Sequence, residues 1–305
     1  MRRPGAHRET PDGPGEAQRQ GVPAGPGQPT HASTARGIAV KVADDQLLDY
    51  ANEIVPGDQS GGPSTSQTIM VESLGALIEL LPPTASADAY RAAVINDNLL
   101  GKRTAGAREW AFRQLRRFYA LDTASLLFRA LRDLWPDPEG RPLLALLCAM
   151  ARDPVLRASA PVVLASDFGT VVGPDEFEKV IEDVFPGAYR ASTRRATAQK
   201  LASSWQQAGH LEAVTPTRKV RTRVTSTPSA VAYALLLGHL QGVRGVVLLD
   251  TPWARVLDQP ASRLIDLGVA ASQRGMLEFR HAGGLIDVGF RELLRPLNDG
   301  GHTHP

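Results

Sequence analysis

The chain has 305 residues, a formal net charge of +2 and a single cysteine, Cys148. This length accommodates two domains of ordinary size, and one cysteine excludes a disulfide framework and any site built from several cysteines. Hydrophobic residues make up 43% of the chain but aromatic residues only 6%, so we expect helices packed through small side chains. The longest apolar stretches, 142–151 and 230–238, are shorter than the about 20 residues of a membrane-spanning helix. A reduced, cytoplasmic protein without a membrane contact is therefore expected.

Residues 1–67 are predicted to be a disordered extension and a linker. Residues 1–36 are rich in Pro, Gly and polar residues and lack hydrophobic periodicity, a composition that does not bury enough apolar surface to fold. A short helical pattern at 43–55 and a Gly/Ser/Pro segment at 56–67 follow. We expect this whole region to be dispensable for folding. Translation from Met70, directly before the first dense apolar pattern, is an open alternative in which the native protein lacks everything before it.

Residues 68–170 are predicted to form a helical bundle. Apolar positions recur with helical spacing, and Pro and Gly interrupt the pattern at intervals. Short loops between the helices favour antiparallel neighbours. Cys148 falls in an apolar run and is predicted to be a core residue. The predicted helices span residues 71–81, 86–97, 104–120, 122–135, 141–150 and 155–165.

The next region, residues 171–295, has a different pattern. One helix is predicted to start after Pro174, with acidic residues in its first turn. A second helix is predicted over 193–208, with Ser192 as its N-cap and Gly209 after its C-terminus. Ala198, Leu201, Trp205 and Ala208 give this second helix one apolar face, so its tryptophan is predicted to lie in the core.

Two short strands, 210–214 and 219–227, are predicted after these helices. Lys219, Arg221 and Arg223 alternate along the second strand and therefore share one of its faces. A helix, a turn, a second helix and a basic hairpin form the pattern of a winged helix-turn-helix. A helix-turn-helix that serves only packing or protein contacts is the alternative.

The remainder completes a fold class that is mostly α: a helical bundle, a winged helix-turn-helix-like unit and a terminal β-hairpin. Helices are predicted over 228–240 and 260–274. Two alternating segments flank Gly283-Gly284 and predict the closing hairpin. Residues 296–305 are expected to be a tail.

Positive charge is concentrated in two segments. Residues 101–119 hold six Lys/Arg and one acid, and residues 186–225 hold eight Lys/Arg and one acid. The rest of the chain carries more acidic than basic residues, so the small net charge hides two local positive fields. Contacts to double-stranded DNA are predicted for the following side chains: Lys102, Arg103, Arg113, Arg116, Arg117, Arg194, Arg195, Gln199, Lys200, Arg218, Lys219, Arg221 and Arg223.

Gly101-Lys102 in the stretch NLLGKRT raises the question of a nucleotide phosphate loop. That loop requires a glycine at position 96, where the chain has Asn96, and a Ser/Thr at the position of Arg103. The preceding residues also indicate a helix instead of a strand, so the phosphate loop is rejected. Thr104 is predicted to be the N-cap of the helix that follows.

Arg113, Arg116 and Arg117 fall on one face of that helix at i, i+3 and i+4. Ala107, Ala111, Leu115 and Phe118 mark its packed face. The alternative to a DNA-contacting face is an ordinary solvated surface, with Glu109 and Arg113 as an ion pair. Neither a catalytic motif nor a set of metal ligands is found in the sequence, so we expect a non-enzymatic protein without a cofactor.

Four stretches resemble, in the same order, the BrxA family of BREX bacteriophage-resistance systems. They are NDNLLGKRTAGAREWAFRQLRRFYALD, RDPVLRASA, RASTRRATAQKLASSWQQAGHLE and GMLEFRHAGGLIDVGF. The resemblance covers about residues 71–293, and the long N-terminal extension departs from it. It implies a helical fold, duplex DNA binding and a non-catalytic role beside methyltransferase and ATPase components, with other BREX proteins as further candidate partners. A protein–protein adaptor within the same defence complex is the alternative function.

Overall fold

The described part of the chain, residues 47–215 and 218–296 of a computed structural model, is mostly helical as expected. The prediction for residues 1–36 lies outside these ranges. The prediction for the tail, residues 296–305, also lies outside them except at residue 296. Two short 3-10 helices cover Pro63–Thr65 and Gly245–Asp250. The α-helices after residue 70 are α1 (Val71–Leu80), α2 (Ala87–Ile95), α3 (Ala105–Tyr119), α4 (Leu126–Leu134), α5 (Arg141–Arg152), α6 (Pro154–Ala158), α7 (Ala160–Leu164), α8 (Pro174–Val184), α9 (Ala191–Gln207), α10 (Pro228–Leu240), α11 (Pro252–Arg255) and α12 (Ala261–Gln273).

Local capping chemistry explains most helix boundaries. Thr104 is the N-cap of α3, as predicted, and its hydroxyl accepts a hydrogen bond from the Ala107 N–H at 3.2 Å. The N-cap of α9 is Arg190, two residues before the predicted Ser192. Gly209 has a φ of +88° and follows the end of α9 as expected.

Two predicted helices differ from the structure. The segment 155–165 is broken into α6 and α7 because Pro161 has no N–H to donate to the carbonyl one turn earlier. The segment 122–135 becomes helical only at Leu126. The residues that precede Leu126 form a turn instead, in which Asp122 Oδ1 accepts a hydrogen bond from the Ala124 N–H at 2.9 Å.

Helix α10 lies at the centre of the core. All of its residues except His239 are buried, because the helix is apolar on every side. It packs against α4, α5, α11 and α12, and the Tyr233 hydroxyl donates to the Leu127 carbonyl at 2.8 Å. Cys148 is buried in α5, which confirms its assignment to the core. All described residues belong to one compact unit, 44–305, so the predicted boundary near residue 170 does not separate two cores.

Strands β1 (Val171–Val172), β2 (Leu211–Ala213) and β3 (Lys219–Arg221) form an antiparallel sheet in the order β1-β3-β2. Strand β1 is too short to give a sequence pattern and was not predicted. The closing hairpin is confirmed, with β4 (Glu278–Ala282) paired to β5 (Leu285–Gly289). Gly283 and Gly284 form its turn with φ of +57° and +80°.

The segment before α1 is integrated into the fold, which corrects the prediction of a dispensable linker. The Glu53 carboxylate accepts hydrogen bonds from the Leu126 N–H at 2.7 Å, the Leu127 N–H at 3.2 Å and the Ser125 hydroxyl. It therefore satisfies the free N–H groups at the start of α4. The Ser64 N–H donates to the buried Asp153 at 2.7 Å. Contacts that are remote in sequence hold this segment, so its Gly/Ser/Pro composition did not reveal them.

His210 is a buried histidine that packs edge-on against Trp205, with ring centroids 4.9 Å apart. Its Nε2 donates a hydrogen bond to the Val256 carbonyl at 2.8 Å, while Nδ1 has no hydrogen-bond partner among the described residues. Burial, together with the nearby positive charge of Arg221, lowers the pKa of His210 to about 4. Trp205 is itself fully buried and donates to Ser159 Oγ at 2.8 Å, which confirms its prediction as a core residue.

We predict that replacing Glu53 by Ala lowers the free energy of unfolding by about 1–3 kcal/mol, because the N-terminal N–H groups of α4 lose a charged acceptor. Urea denaturation of the full chain measures the change. Glu109→Ala is the matched control, since Glu109 is exposed and forms no ion pair within the described residues. Equal stability of both variants would contradict the docking of this segment.

We also predict that stability falls as the pH drops from about 6.5 towards 4. The folded-state pKa of His210, about 4, lies below its value of 6.5 in an unfolded chain. The unfolded state therefore binds the extra proton in this window, at a cost of about 1.4 kcal/mol per pH unit. Urea midpoints measured across the window should show a shallower dependence for His210→Gln. The exposed His281→Gln serves as the control, and an unchanged pH dependence in His210→Gln would refute the prediction.

Candidate nucleic-acid interface

The loop before α3 presents the first two predicted site residues. Asn98 adopts a φ of +51°, and its Oδ1 accepts a hydrogen bond from the Lys102 N–H at 2.7 Å. This contact fixes the turn that leads into α3. Lys102 is half-buried and Arg103 is exposed. Both directly precede the N-cap Thr104 and therefore lie near the N-terminal N–H groups of the helix, where an anion is favoured.

Three predicted arginines lie exposed on one face of α3, as the spacing indicated. Arg113, Arg116 and Arg117 form no ion pair and no side-chain hydrogen bond within the described ranges. The alternative pairing of Glu109 with Arg113 is thus not made. Ala111, Leu115 and Phe118 are buried on the opposite face.

These arginines border an open groove of about 580 Å³, together with Arg152 from the end of α5. We call this feature the arginine groove and define it by the four residues Arg113, Arg116, Arg117 and Arg152. The Nε of Arg152 donates to the Arg117 carbonyl at 3.1 Å. Asp122 is the acidic residue in its lining. Arg152 was missed by sequence reasoning because its proximity to α3 is created only by the packing of α5 on α3.

The arginines of α9 have a different environment from those of α3. Arg194 pairs with Glu182 at 2.6 Å and with Glu178 at 3.9 Å, and its side chain is 24% exposed. Arg195 pairs with Asp175 and, at 2.7 Å, with Glu178. The acidic face of α8 thus neutralises both arginines, which the sequence pattern of α9 alone did not show.

The other two predicted residues of α9 are less constrained. Gln199 is exposed. Lys200 is half-buried, and its Nζ donates to the Ala196 carbonyl of the same helix at 3.1 Å. Neither is engaged by a carboxylate of the described chain.

Strand β3 corrects the prediction of a basic exposed face. Lys219 and Arg221 do share a face, but that face points into the protein, where they are 6% and 2% exposed. Burial lowers the pKa of Lys219, and its Nζ donates to Gln206 Oε1 at 2.5 Å. The two-residue repeat of a β-strand shows which side chains share a face, but it does not show which of the two faces is buried.

Arg221 is held on several sides at once. It donates through Nη2 to Asp258 at 2.7 Å, through Nε to the Val163 carbonyl at 2.9 Å and through Nη1 to the His210 carbonyl at 3.3 Å. A side chain with these partners is not available to a phosphate. Its predicted role in DNA contact is therefore replaced by a structural one.

Arg218 and Arg223 remain on the surface. The guanidinium of Arg223 lies 4.5 Å from the ring centroid of Phe168, a side chain that is 48% exposed. Phe168 was not singled out in the sequence. Its position beside the basic strand depends on the loop that leads into β1.

Lys102 and Gln207 line one depression of about 400 Å³, together with residues at the start of α1. Gln207 is the last residue of α9, and its Oε1 accepts a hydrogen bond from the Val71 N–H at 3.3 Å. The loop before α3 and the C-terminal end of α9 are therefore neighbours. The two basic segments of the sequence meet at this point.

Comparisons with known proteins return no match: no family model fits the chain, and neither curated proteins nor solved structures include a significantly similar one. No helix within residues 47–215 and 218–296 is long and apolar enough to cross a membrane. The same ranges contain no group of three or more His, Cys, Asp or Glu side chains that could hold a metal ion.

We predict that Arg221→Met lowers the free energy of unfolding by about 3–5 kcal/mol, because the substitution leaves Asp258 without its buried partner. Arg223→Met should change it by less than about 1 kcal/mol, since Arg223 is exposed. Urea denaturation of both variants provides the comparison. Similar stabilities for the two would show that Arg221 does not have the structural role described above.

Proposed function

We propose that this protein is a non-enzymatic DNA-binding protein whose principal phosphate-binding surface is the arginine groove. The observation that carries the proposal is the group of exposed, unpaired arginines on α3, joined by Arg152. Guanidinium groups bind phosphate oxygens bidentately and keep their charge at any physiological pH. Four of them around one groove repel one another, and a polyanion relieves that repulsion.

A winged helix-turn-helix beside this groove is part of the proposal. The order α8, α9, β2, β3, with β1 completing an antiparallel sheet in the order β1-β3-β2, supports it. In such a unit α9 is the helix that approaches a groove of the duplex. Of the four residues of α9 predicted to contact DNA, Gln199 and Lys200 are then the available ones, because Arg194 and Arg195 are paired with acids of α8.

The contact between the two basic segments supports a shared DNA surface. Lys102 and Gln207 line the same depression, so a duplex lying on the loop before α3 is close to the end of α9. Phosphate contacts from the α3 side would fix the position of the duplex, and base contacts would come from α9.

Membership of the BrxA family of phage-defence proteins is proposed on the resemblance of the four stretches, and the helical fold is compatible with it. In this setting the protein is an accessory DNA-binding component that acts beside methyltransferase and ATPase proteins. Phage plating on cells that carry the defence system, with and without this gene, tests the assignment. Unchanged protection after its removal argues against it.

One observation favours the adaptor as a second function. Val246, Val247 and Leu285 are 56%, 60% and 80% exposed. They lie on neighbouring elements, since the 3-10 helix at Gly245–Asp250 contacts β5. Exposed apolar groups that lie close together are typical of protein-binding surfaces.

We predict that duplex binding depends on salt and that Arg113→Ala combined with Arg117→Ala weakens that dependence. Each phosphate contact contributes about 0.9 to the slope of log K against log salt concentration. The double variant should therefore lower the magnitude of the slope by about two, with similar losses on different duplex sequences. Fluorescence anisotropy with a labelled random duplex measures it.

Arg263→Ala combined with Arg274→Ala is the matched control. Both residues are exposed. The two substitutions remove the same amount of charge as the first double variant, but from the region of α12, outside the arginine groove. Equal slopes for the two double variants would mean that only total charge matters. Binding that is absent at low salt in the unmodified protein would refute DNA binding and favour the adaptor.

A further inference from the structure

A second groove, of about 630 Å³, lies between the end of α1 and the end of α4. Its walls include Leu80, Pro82 and Pro136, which are all exposed, and its lining also includes Arg132 and Trp135. The arginine groove includes Ser125, the N-cap of α4. The two grooves therefore lie at opposite ends of α4 and are separate features.

Arg132 is buried beside this groove, with its guanidinium 5.7 Å from the ring centroid of Tyr90. It is 8% exposed, and its Nη2 donates to the Leu81 carbonyl at 2.7 Å and the Ile78 carbonyl at 3.5 Å. Its Nη1 has no hydrogen-bond partner, and the residue forms no ion pair with the described chain. Burial of a cation without a paired anion is costly.

The nearby carboxylates are already engaged by other arginines. Asp133 pairs with Arg295 at 2.8 Å, and Glu79 pairs with Arg141 at 2.6 Å. The indole Nε1 of Trp135 is a second buried donor without a hydrogen-bond partner in the described part of the chain, and Trp135 is 3% exposed. The groove is thus lined by a buried guanidinium that forms no ion pair with the described residues, by two N–H donors without a hydrogen-bond partner among those residues, and by apolar walls, while its two carboxylates are held by other arginines.

We propose that this groove binds the carboxylate of an apolar acid. A carboxylate supplies one negative charge to match one guanidinium, and it accepts two hydrogen bonds from N–H donors. The apolar part of the ligand would lie against Leu80, Pro82 and Pro136. A phosphate fits less well, because it carries more charge and because the second guanidinium of the lining, that of Arg141, is already paired with Glu79. Binding involves a turn of the Arg132 guanidinium that directs Nη1 into the groove.

Two sources share this ligand chemistry: a free small acid and the C-terminal carboxylate of a peptide that ends in an apolar residue. Hexanoate represents the first, and the tripeptide Ala-Ala-Leu with a blocked N-terminus represents the second. Each has a neutral counterpart of the same shape, hexanamide and the tripeptide amide. Comparison of acid with amide isolates the contribution of the charge.

Isothermal titration of the full chain with these four compounds tests the proposal. We expect saturable binding of at least one acid and binding of its amide that is at least about tenfold weaker, since charge-assisted hydrogen bonds are lost. Hexanoate alone would identify a free acid, and the tripeptide alone would identify a peptide terminus. No saturable binding of either acid, or equal binding of acid and amide, overturns the proposal. Competition by inorganic phosphate as effective as that of the acids also overturns it.

The chain offers a matched control for Arg132 in Arg129, one turn earlier on α4. Arg129 is 7% exposed, donates to the carbonyls of Thr123 and Arg295, and does not line the groove. Arg132→Met and Arg129→Met both remove a buried guanidinium, but only the first should abolish the preference for acid over amide. Loss of the preference in both variants would mean that it reflects stability and not the groove.

Leu80→Glu covers the case in which Arg132→Met does not fold. Leu80 is 62% exposed, so this substitution leaves the core intact and places a negative charge on the wall of the groove. We expect it to weaken binding of the acid by at least about fivefold through like-charge repulsion, and to affect the amide much less. An acid affinity that is unchanged in Leu80→Glu places the binding site elsewhere and contradicts the proposal.

Discussion

The buried guanidinium of Arg221 is the interaction on which the arrangement of the C-terminal half depends. A buried cation requires compensating partners from every side, and Arg221 takes them from Asp258, Val163 and His210. These partners belong to three separate parts of the chain. The contact therefore fixes strand β3 relative to α7, to the residues that follow α9 and to the segment before α12. The low pKa of His210 follows in part from the same charge.

Pairing with carboxylates divides the basic residues into two groups with different chemistry. Arg194 and Arg195 are balanced by the acidic face of α8, so their exposure to a polyanion would require an exchange of partners. Arg113, Arg116 and Arg117 have no such partners in the described chain. The arginines of α3 therefore contribute positive electrostatic potential that no ion pair in the described chain neutralises, although the segment containing α9 holds more basic residues.

Helix α4 connects the two grooves with the core. Its N-terminus is capped by Glu53 and Ser125 next to the arginine groove. Its last turn carries Arg132, beside the second groove between α1 and α4. Buried α10 packs against it from the inside. This helix therefore sets the separation between the two grooves.

The sequence by itself determined the helical class, the N-cap Thr104, the helix at 228–240 and the closing hairpin, because these features arise from short-range periodicity, capping and glycine turns. It also placed the arginines of α3 on one face. Only the tertiary structure decided which cations remain free, because a carboxylate partner or a buried strand face comes from residues distant in the chain. The same separation explains why Glu53 and Arg152 were missed. Glu53 acts on the start of α4 and Arg152 lies against α3, and neither contact can be inferred from the residues next to them in the sequence.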